Sequence, residues 1–405
     1  MGYDVGTVRR QYPALGDGRA WLDGAAGTQV PQAVIDAVAR TYRTGVSNQG
    51  APFEASSRGT EIVAQARSAV ADLVGAADPR AVVFGPTMTA LTYRFAAALG
   101  ATWRTGDEIV VTQLDHDANV RPWVQAARRA GVTVRTAAVD PRTAELPVDG
   151  VRTLLGNRTR LVAFTAASNL VGTCPDVTAI TAAARDVGAI SFVDGVHHTP
   201  HAHVDLAELG ADLYATSAYK WAGPHLAAVV ATDPGLLEGL HPDRLLPAPA
   251  TVPERFELGT NPFASLAGVV AAVAHLAGLD DAARGTRRER LAISRRAAGV
   301  HEDALGSRMV AGLAATPGVT LYGSPSERTP TAYFRLAGKA PGDVAEALSA
   351  RGINCWHGYA YAWELAGALG LRDGGGAVRT SVNFYSTAAE VDRLLDAVRE
   401  LAAGR

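Results

Sequence analysis

The sequence predicts an α/β protein in which a mostly parallel central sheet is followed by a smaller α+β domain. Between about residue 80 and residue 232, short apolar runs alternate with helical patterns, which is typical of parallel strands joined by crossover helices. Four of these runs end in polar or turn residues, where an open sheet of this kind collects its ligand contacts. After about residue 285 a long helical pattern precedes isolated strands, which indicates a second domain. We place the large domain at residues 20–285 and the small domain at residues 1–19 and 286–405.

Seven strands are predicted in the first part of the chain, because each is a short apolar run bounded by turn residues or by a helical pattern. In chain order they are Ala81–Phe84, Glu108–Thr112, Val132–Ala137, Arg160–Thr165, Ala189–Asp194, Asp212–Thr216 and Leu226–Ala231. We expect functional side chains to cluster just after the strand ends.

The second part alternates long helical periods with short strand-like runs. Its elements are predicted as a helix at Arg287–Ala315, strands at Val319–Tyr322 and Thr331–Leu336, a helix at Pro341–Arg351, a strand at Ala377–Phe384 and a helix from Ala388. Thr387 and Glu390 have the spacing of a capping box, which marks the start of the last helix.

Composition and charge exclude several classes of protein. The 405 residues are 48% hydrophobic, which suffices for a sizeable core. A net charge of −2 without a basic tract disfavours nucleic-acid binding. With only Cys174 and Cys355, a disulfide framework and a Cys-rich zinc site are not available. No signal pattern and no apolar stretch of about 20 residues is found, so we expect a soluble cytoplasmic protein that does not contact membranes.

The most informative pair of residues is Asp194 and Lys220. Asp194 ends one apolar strand, and Lys220 follows another. A buried lysine can form a Schiff base with the aldehyde of pyridoxal phosphate, and a buried carboxylate can keep the pyridine nitrogen protonated. The spacing alone is also compatible with a salt-bridged pair between domains.

The order of motifs resembles the class V aminotransferase group of fold-type I pyridoxal phosphate enzymes, in particular its cysteine desulfurase-like branch. The resemblance extends from the segment at residues 21–27 to Arg379 and the last helix. It implies the fold-type I transferase fold, pyridoxal 5'-phosphate as cofactor, and a homodimer with shared active sites. It also implies that Lys220 carries the cofactor, that Asp194 holds the pyridinium, that His197 lies near the phenolic oxygen, and that His116 stacks on the ring and shuttles protons.

The resemblance assigns the cofactor phosphate to five positions. Met88 contributes a backbone amide and Thr89 a hydroxyl at the start of a helix, where free amides favour an anion. Ser217 and Tyr219 match two further contacts. Thr260 would come from the neighbouring subunit.

Recognition of an amino-acid substrate is expected from three further positions. Arg379 matches the residue that binds the substrate carboxylate, since a guanidinium forms a bidentate pair with it. Asn169 matches a residue near both cofactor and substrate, and Ala26 one that lies against the substrate. Arg379 and Asn169 also have an alternative interpretation as structural hydrogen-bonding residues.

The sequence departs from true cysteine desulfurases at the position of their persulfide-forming cysteine, where Tyr361 stands. Cys355 lies six positions earlier, inside a strand-like run at Ile353–Trp356, where an apolar environment would keep the thiol protonated. The surrounding residues are rich in aromatic and imidazole groups. His357 or Tyr361 could contact a larger substrate and act as acid or base, or the segment could be packing between domains.

Four histidines, His197, His198, His201 and His203, lie within seven positions and could suggest a metal. Pro200 interrupts any helical face there, and no Cys or Glu pattern follows, so we predict no metal site.

These observations predict a pyridoxal-phosphate-dependent lyase or transferase. Without a persulfide cysteine, we favour carbon–sulfur cleavage by β-elimination or replacement in an amino acid or its conjugate. The alternatives are an aminotransferase, epimerase or decarboxylase, a cysteine desulfurase that uses Cys355, and a non-catalytic protein that binds the cofactor.

Overall fold

The structure is a computed structural model that describes residues 2–404. Its strands are β1 Ala20–Trp21, β2 Val82–Gly85, β3 Glu108–Thr112, β4 Thr133–Ala137, β5 Thr159–Thr165, β6 Ile190–Asp194, β7 Leu213–Ser217, β8 Ala227–Ala231, β9 Val319–Leu321, β10 Thr331–Leu336, β11 Ile353–Asn354, β12 Trp356–Gly358 and β13 Ala377–Ser381. Its helices are α1 Val5–Arg9, α2 Gln32–Thr44, α3 Glu54–Val74, α4 Met88–Gly100, α5 Arg121–Ala130, α6 Val148–Arg152, α7 Val177–Asp186, α8 Leu206–Leu209, α9 Pro234–Glu238, α10 Phe263–Ala277, α11 Arg287–Ala314, α12 Pro341–Ala350, α13 Trp363–Ala368 and α14 Ala388–Ala402. Within this described part of the chain, no helix is both long and apolar enough to cross a bilayer.

Seven strands form the central sheet in the order β2-β8-β7-β6-β5-β3-β4. Strand β8 runs antiparallel to both of its neighbours, and the remaining pairs are parallel. The seven predicted strands are therefore confirmed, with bounds that differ by one residue at most. Strands β7 and β8 are buried along their whole length, which explains why they read as continuous apolar runs in the sequence.

Parallel strands place their carboxyl ends on one edge of the sheet, and this edge collects the chemically important residues. Asp194 is the last residue of β6, and a short 3-10 turn, Ala218–Lys220, follows β7 directly. His116 lies just beyond β3, and helix α4 begins shortly after β2. The topology thus brings together side chains that are far apart in the sequence.

A second, antiparallel sheet lies in the C-terminal part, in the order β12-β13-β10-β9. Its apolar residues form a separate core with helices α11, α12 and α14. The capping box predicted for α14 is confirmed, because Thr387 and Glu390 exchange both hydrogen bonds. Thr286 and Glu289 form a second capping box at the start of α11.

Two strand predictions are wrong in detail. The run Ile353–Trp356 is not one strand, because the chain changes partner at Cys355: β11 pairs with β1, and β12 pairs with β13. The strand predicted to reach Phe384 ends at Ser381, because the following backbone bonds to Pro330 and to the turn closed by Ser386.

The N-terminal segment contacts both parts of the molecule. Val8, Tyr12 and Leu15 belong to the larger core, whereas Ala20 and Leu22 belong to the core of the C-terminal sheet. Arg9 forms a bidentate ion pair with Glu390 at 2.7 and 3.0 Å. The division into residues 20–285 against residues 1–19 and 286–405 stays a prediction.

Candidate active site

A cavity of about 770 Å³ opens at the carboxyl edge of the central sheet and is bounded on its other side by the C-terminal part. Of the residues proposed for the site, all except Thr260 line this cavity. They are Ala26, Met88, Thr89, His116, Asn169, Asp194, His197, Ser217, Tyr219, Lys220, His357, Tyr361 and Arg379.

The amine of Lys220 lies deep in this cavity, with 6% of the residue exposed. Its Nζ donates a hydrogen bond to the carbonyl oxygen of Ala25 and lies 5.4 Å from the centre of the Tyr219 ring. Burial, and then the positive charge of Arg379, lower the pKa of Lys220 to about 7. A substantial fraction of this amine is therefore unprotonated and nucleophilic near neutral pH.

Asp194 faces the same cavity from the end of β6. Its Oδ1 accepts a hydrogen bond from the backbone amide of Val196 at 2.9 Å. Burial raises the pKa of Asp194 to about 6, although this hydrogen bond and the charge of Lys220 oppose the shift. The carboxyl group is thus mainly ionised at neutral pH, and a protonated pyridine nitrogen of a ligand would stabilise its negative charge.

His116 is held by the short turn Asp117–Asn119, where its Nδ1 accepts a hydrogen bond from Ala118 at 3.0 Å. Burial, and then the charge of Lys220, lower the pKa of His116 to about 4, so the imidazole is neutral at physiological pH. The preceding Asp115 is buried and bonds to Thr112 and Asn119. This carboxyl fixes the turn, and sequence reasoning did not identify it.

His197 and Asn169 each carry a buried polar atom that has no partner among the described residues. The Nε2 of His197 contacts the hydroxyls of Thr329 and Thr331, both at 3.1 Å, whereas its Nδ1 is unpaired. Asn169 donates through Nδ2 to Ala360 at 2.8 Å, and its Oδ1 is unpaired. Since both residues line the cavity, these atoms fit a polar ligand.

Arg379 provides a buried cation on strand β13. Its Nη1 donates to the backbone carbonyl of Asn169 at 2.8 Å, and within residues 2–404 it forms no ion pair. Burial lowers the pKa of Arg379 to about 10, which leaves the guanidinium charged at neutral pH. The nearby carboxyl of Asp23 acts on this charge without forming an ion pair, and a buried guanidinium that lacks a paired carboxylate favours an anionic ligand.

The start of helix α4 forms another polar wall. Thr87 caps this helix through a 3.0 Å bond to the amide of Ala90, and Met88 and Thr89 begin its first turn. Tyr219 and His225 also line the cavity, and their rings stack with 4.8 Å between ring centres and an angle of 3° between the ring planes. Sequence reasoning missed His225, because no residue pattern distinguishes it.

Together these groups fit pyridoxal phosphate. The set offers a lysine that is partly unprotonated at neutral pH, a carboxylate, unpaired hydrogen-bonding atoms and a helix N-terminus for a phosphate. No single group in this set would be diagnostic alone.

Aromatic side chains form the mouth of the cavity along residues 356–363, which we name the rim segment. Trp356, Tyr359, Tyr361 and Trp363 all line the cavity, and His357 lies among them. Trp356 is opposite Arg379 across the β12–β13 pair, so the two side chains share one face of the sheet.

Neither cysteine lines the cavity. Burial raises the pKa of Cys355 to about 12 and that of Cys174 to about 12, so both thiols are protonated at neutral pH. Cys355 packs against the core of the C-terminal sheet.

Thr260 is exposed and follows Gly259, whose φ of 79° places it in the left-handed region. It does not reach the cavity of its own chain. Its proposed contact with the cofactor of a neighbouring subunit stays a prediction.

Three members of the histidine cluster are engaged by neighbouring side chains. His198 contacts the hydroxyl of Tyr214 at 3.1 Å, and His201 contacts Glu302 at 3.0 Å, while His197 bonds to the two threonines described above. Among residues 2–404, no three His, Cys, Asp or Glu side chains converge in a way that could hold a metal ion.

Comparison with known proteins gave consistent results. Residues 20–394 match the family model described as aminotransferase class-V. An uncharacterised protein of Mycobacterium tuberculosis is 38% identical over 99% of this chain and 100% of its own. A probable cysteine desulfurase of Pseudomonas aeruginosa is 33% identical over 95% of each chain. The crystal structure of the cysteine desulfurase CsdA from Escherichia coli superposes with a TM-score of 0.87 at 27% identity, covering 99% of both chains.

Proposed function

The chain belongs to the aminotransferase class-V family and is a pyridoxal-phosphate-dependent enzyme, and from that premise we propose which reaction it catalyses. We infer that it cleaves a carbon–sulfur bond in an amino acid or amino-acid conjugate, by β-elimination or replacement. The reaction would proceed without storage of sulfur on a cysteine. It would release a thiol and, in the elimination case, ammonia and a keto acid.

The observation that carries this proposal is the position of the two cysteines. A persulfide relay needs a thiolate that can reach the substrate sulfur. Cys355 and Cys174 both lie outside the cavity lining, and their raised pKa values keep the sulfur protonated. At the mouth of the cavity stands Tyr361, and a phenol cannot hold a persulfide.

When bound, pyridoxal phosphate supplies the carbonyl that accepts the substrate amine and the ring that accepts electrons from its α-carbon. Lys220 is proposed to remove the α-proton, because its amine is buried and has a pKa of about 7. Asp194 would hold the ring-nitrogen proton in place. His116 would confine the ring from one face, with its imidazole neutral.

Arg379 is proposed to bind the substrate carboxylate, since its guanidinium is buried and forms no ion pair within residues 2–404. The hydrogen bond from Arg379 to the backbone carbonyl of Asn169 would fix the orientation of the guanidinium group. Ala26 lines the same cavity and leaves space for the substrate chain.

We propose that the substrate side chain lies against the rim segment. The cavity lining includes Trp356, Tyr359 and Trp363, and among residues 2–404 its only arginine and lysine are Arg379 and Lys220. An aromatic surface of this kind suits a bulky, uncharged sulfur substituent better than free cysteine.

The test is to incubate the purified holoenzyme with cysteine and with aryl and alkyl cysteine conjugates, and to identify the products by mass spectrometry. We expect thiol, ammonia and keto acid from the conjugates, with lower kcat/KM for free cysteine. The Lys220→Ala variant should lose turnover and the borohydride-reducible adduct at that residue.

Matched variants separate this reaction from sulfur relay. Cys355→Ser and Cys174→Ser should both retain most activity, and intact-mass analysis should find no extra sulfur on either cysteine. A persulfide on Cys355 would assign the enzyme as a cysteine desulfurase. A requirement for a keto acid, inversion at the α-carbon or release of carbon dioxide would indicate an aminotransferase, epimerase or decarboxylase.

We also propose that the active unit is a cytoplasmic homodimer. The exposed segment around Thr260 supports this assembly, because it presents a polar hydroxyl beyond Gly259 that does not line the active-site cavity of its own chain.

A further inference from the structure

The ring of Tyr361 lies over the imidazole of His116. The two ring centres are 5.4 Å apart and the planes differ by 26°, which is a stacked arrangement. Tyr361 is 77% exposed, so burial of its own surface does not explain this position. Contacts of its backbone must fix the ring there.

Two hydrogen bonds tie this part of the rim segment to the large sheet domain. The backbone amide of Asp117 donates to the carbonyl oxygen of Tyr361 at 2.8 Å, and the side chain of Asn169 donates to that of Ala360 at 2.8 Å. Asp117 is the residue next to His116, so the hydrogen bond from Asp117 to Tyr361 holds the tyrosine close to the imidazole.

A group of ion pairs also holds the rim segment in place. Arg121 contacts Asp117 at 2.8 Å and Glu364 at 2.9 Å, and Arg372 contacts Glu364 at 3.0 Å. The guanidinium of Arg372 also lies 4.3 Å from the centre of the Trp363 ring. These contacts attach the C-terminal end of the rim segment, at Trp363 and the adjacent Glu364, to the start of helix α5.

The backbone at residues 360 and 361 of the rim segment is unusual for residues that are not glycine. Ala360 has φ 46° and Tyr361 has φ 58°, both in the left-handed region. Such conformations persist only where the surroundings impose them. Here they turn the tyrosine ring inward, toward His116.

We propose that Tyr361 is a positioning residue, which holds the His116 imidazole flat against the cofactor site. This inference rests on the proposed function, in which His116 lies on the cofactor ring. The position that carries sulfur in true desulfurases is used here to orient an imidazole. The aromatic ring provides this effect, and the phenolic hydroxyl does not.

The test compares Tyr361→Ala with Tyr361→Phe in the holoenzyme, with Tyr42→Ala as a control, since Tyr42 is 74% exposed and does not line the cavity. The titration of His116 is followed by NMR of histidine-labelled protein, with His116→Gln to assign its signal. Burial lowers this pKa most, Lys220 and Arg379 lower it further, and Asp117 raises it. Loss of the covering ring should therefore raise the His116 pKa by about one unit.

Tyr361→Phe should leave the His116 titration unchanged, because the aromatic ring is kept, and Tyr42→Ala should leave both the titration and kcat unchanged. Tyr361→Ala should lower kcat about 10-fold or more with a smaller change in KM, because orientation of the catalytic imidazole is lost. An unchanged His116 titration in Tyr361→Ala would overturn the proposal, and so would equal defects in the Ala and Phe variants. Because the titration does not require turnover, failure of the proposed reaction would leave this result readable.

Discussion

Lys220 is the residue whose environment has the clearest chemical consequence. Its pKa is lowered to about 7 because the amine is buried and because Arg379 is nearby. An amine with a lowered pKa is protonated below that value and free above it. Lys220 should thus capture an aldehyde at neutral pH, where an exposed lysine is almost entirely protonated.

We therefore predict that the apo-protein binds pyridoxal phosphate covalently at a rate that rises with pH and is half-maximal near pH 7. The rate is measured by borohydride trapping followed by peptide mapping between pH 5.5 and 9. Arg379→Gln should move the midpoint to higher pH, because one cation that disfavours the ammonium is removed. A midpoint near the ordinary lysine pKa would contradict the assigned environment.

Sequence patterns predicted the site residues unevenly. Lys220 and Asp194 follow apolar strands, so their placement on one sheet edge could be predicted from topology. His225, Asp115 and Ala360 carry no such local signal. Their importance comes from contacts with residues distant in sequence, such as the Asn169 amide that bonds to Ala360.

At the scale of elements, the start of helix α14 combines a cap with a contact to the N-terminal segment. Glu390 accepts from the Thr387 amide at 2.8 Å and also binds Arg9 through both carboxylate oxygens. Its side chain is 6% exposed, so the charge depends on these partners.

Glu390→Ala is expected to lower the free energy of unfolding by about 2 kcal/mol, because charged hydrogen bonds are lost and Arg9 is left without its acid. Thr387→Ala should cost about 1 kcal/mol, the usual value of a helix cap. Urea denaturation at fixed cofactor concentration measures both. As a control, Asp396→Ala removes an exposed pair with Arg399 and should have no measurable effect. Equal effects in all three variants would refute the role of the cap.

The elements themselves were predicted well where one strand is buried on both faces, as in β7 and β8. The prediction failed at Ile353–Trp356, where the apolar run conceals a change of partner strand. Hydrophobic periodicity reports burial and does not report which strand lies alongside. Only the three-dimensional arrangement separates β11 from β12.

At the scale of the whole molecule, the proposed shared-site dimer can be tested by complementation. Mixing the inactive variants Lys220→Ala and Thr260→Arg under conditions of subunit exchange should restore about one quarter of wild-type activity, since half of the dimers would be hybrids with one intact site. Activity is compared with each variant alone. If mixing restores nothing although mass spectrometry detects hybrids, Thr260 does not serve the neighbouring site.

The pairing of β1 with β11 has a consequence for how the protein is made. Arg19, next to β1, bonds to Asn354, which lies 335 positions later in the chain. During translation the central sheet can assemble on the ribosome while this early strand still lacks its partner. Strand β1 must therefore stay unpaired until residues 353–354 have been synthesised, and chaperones have that interval in which to bind it.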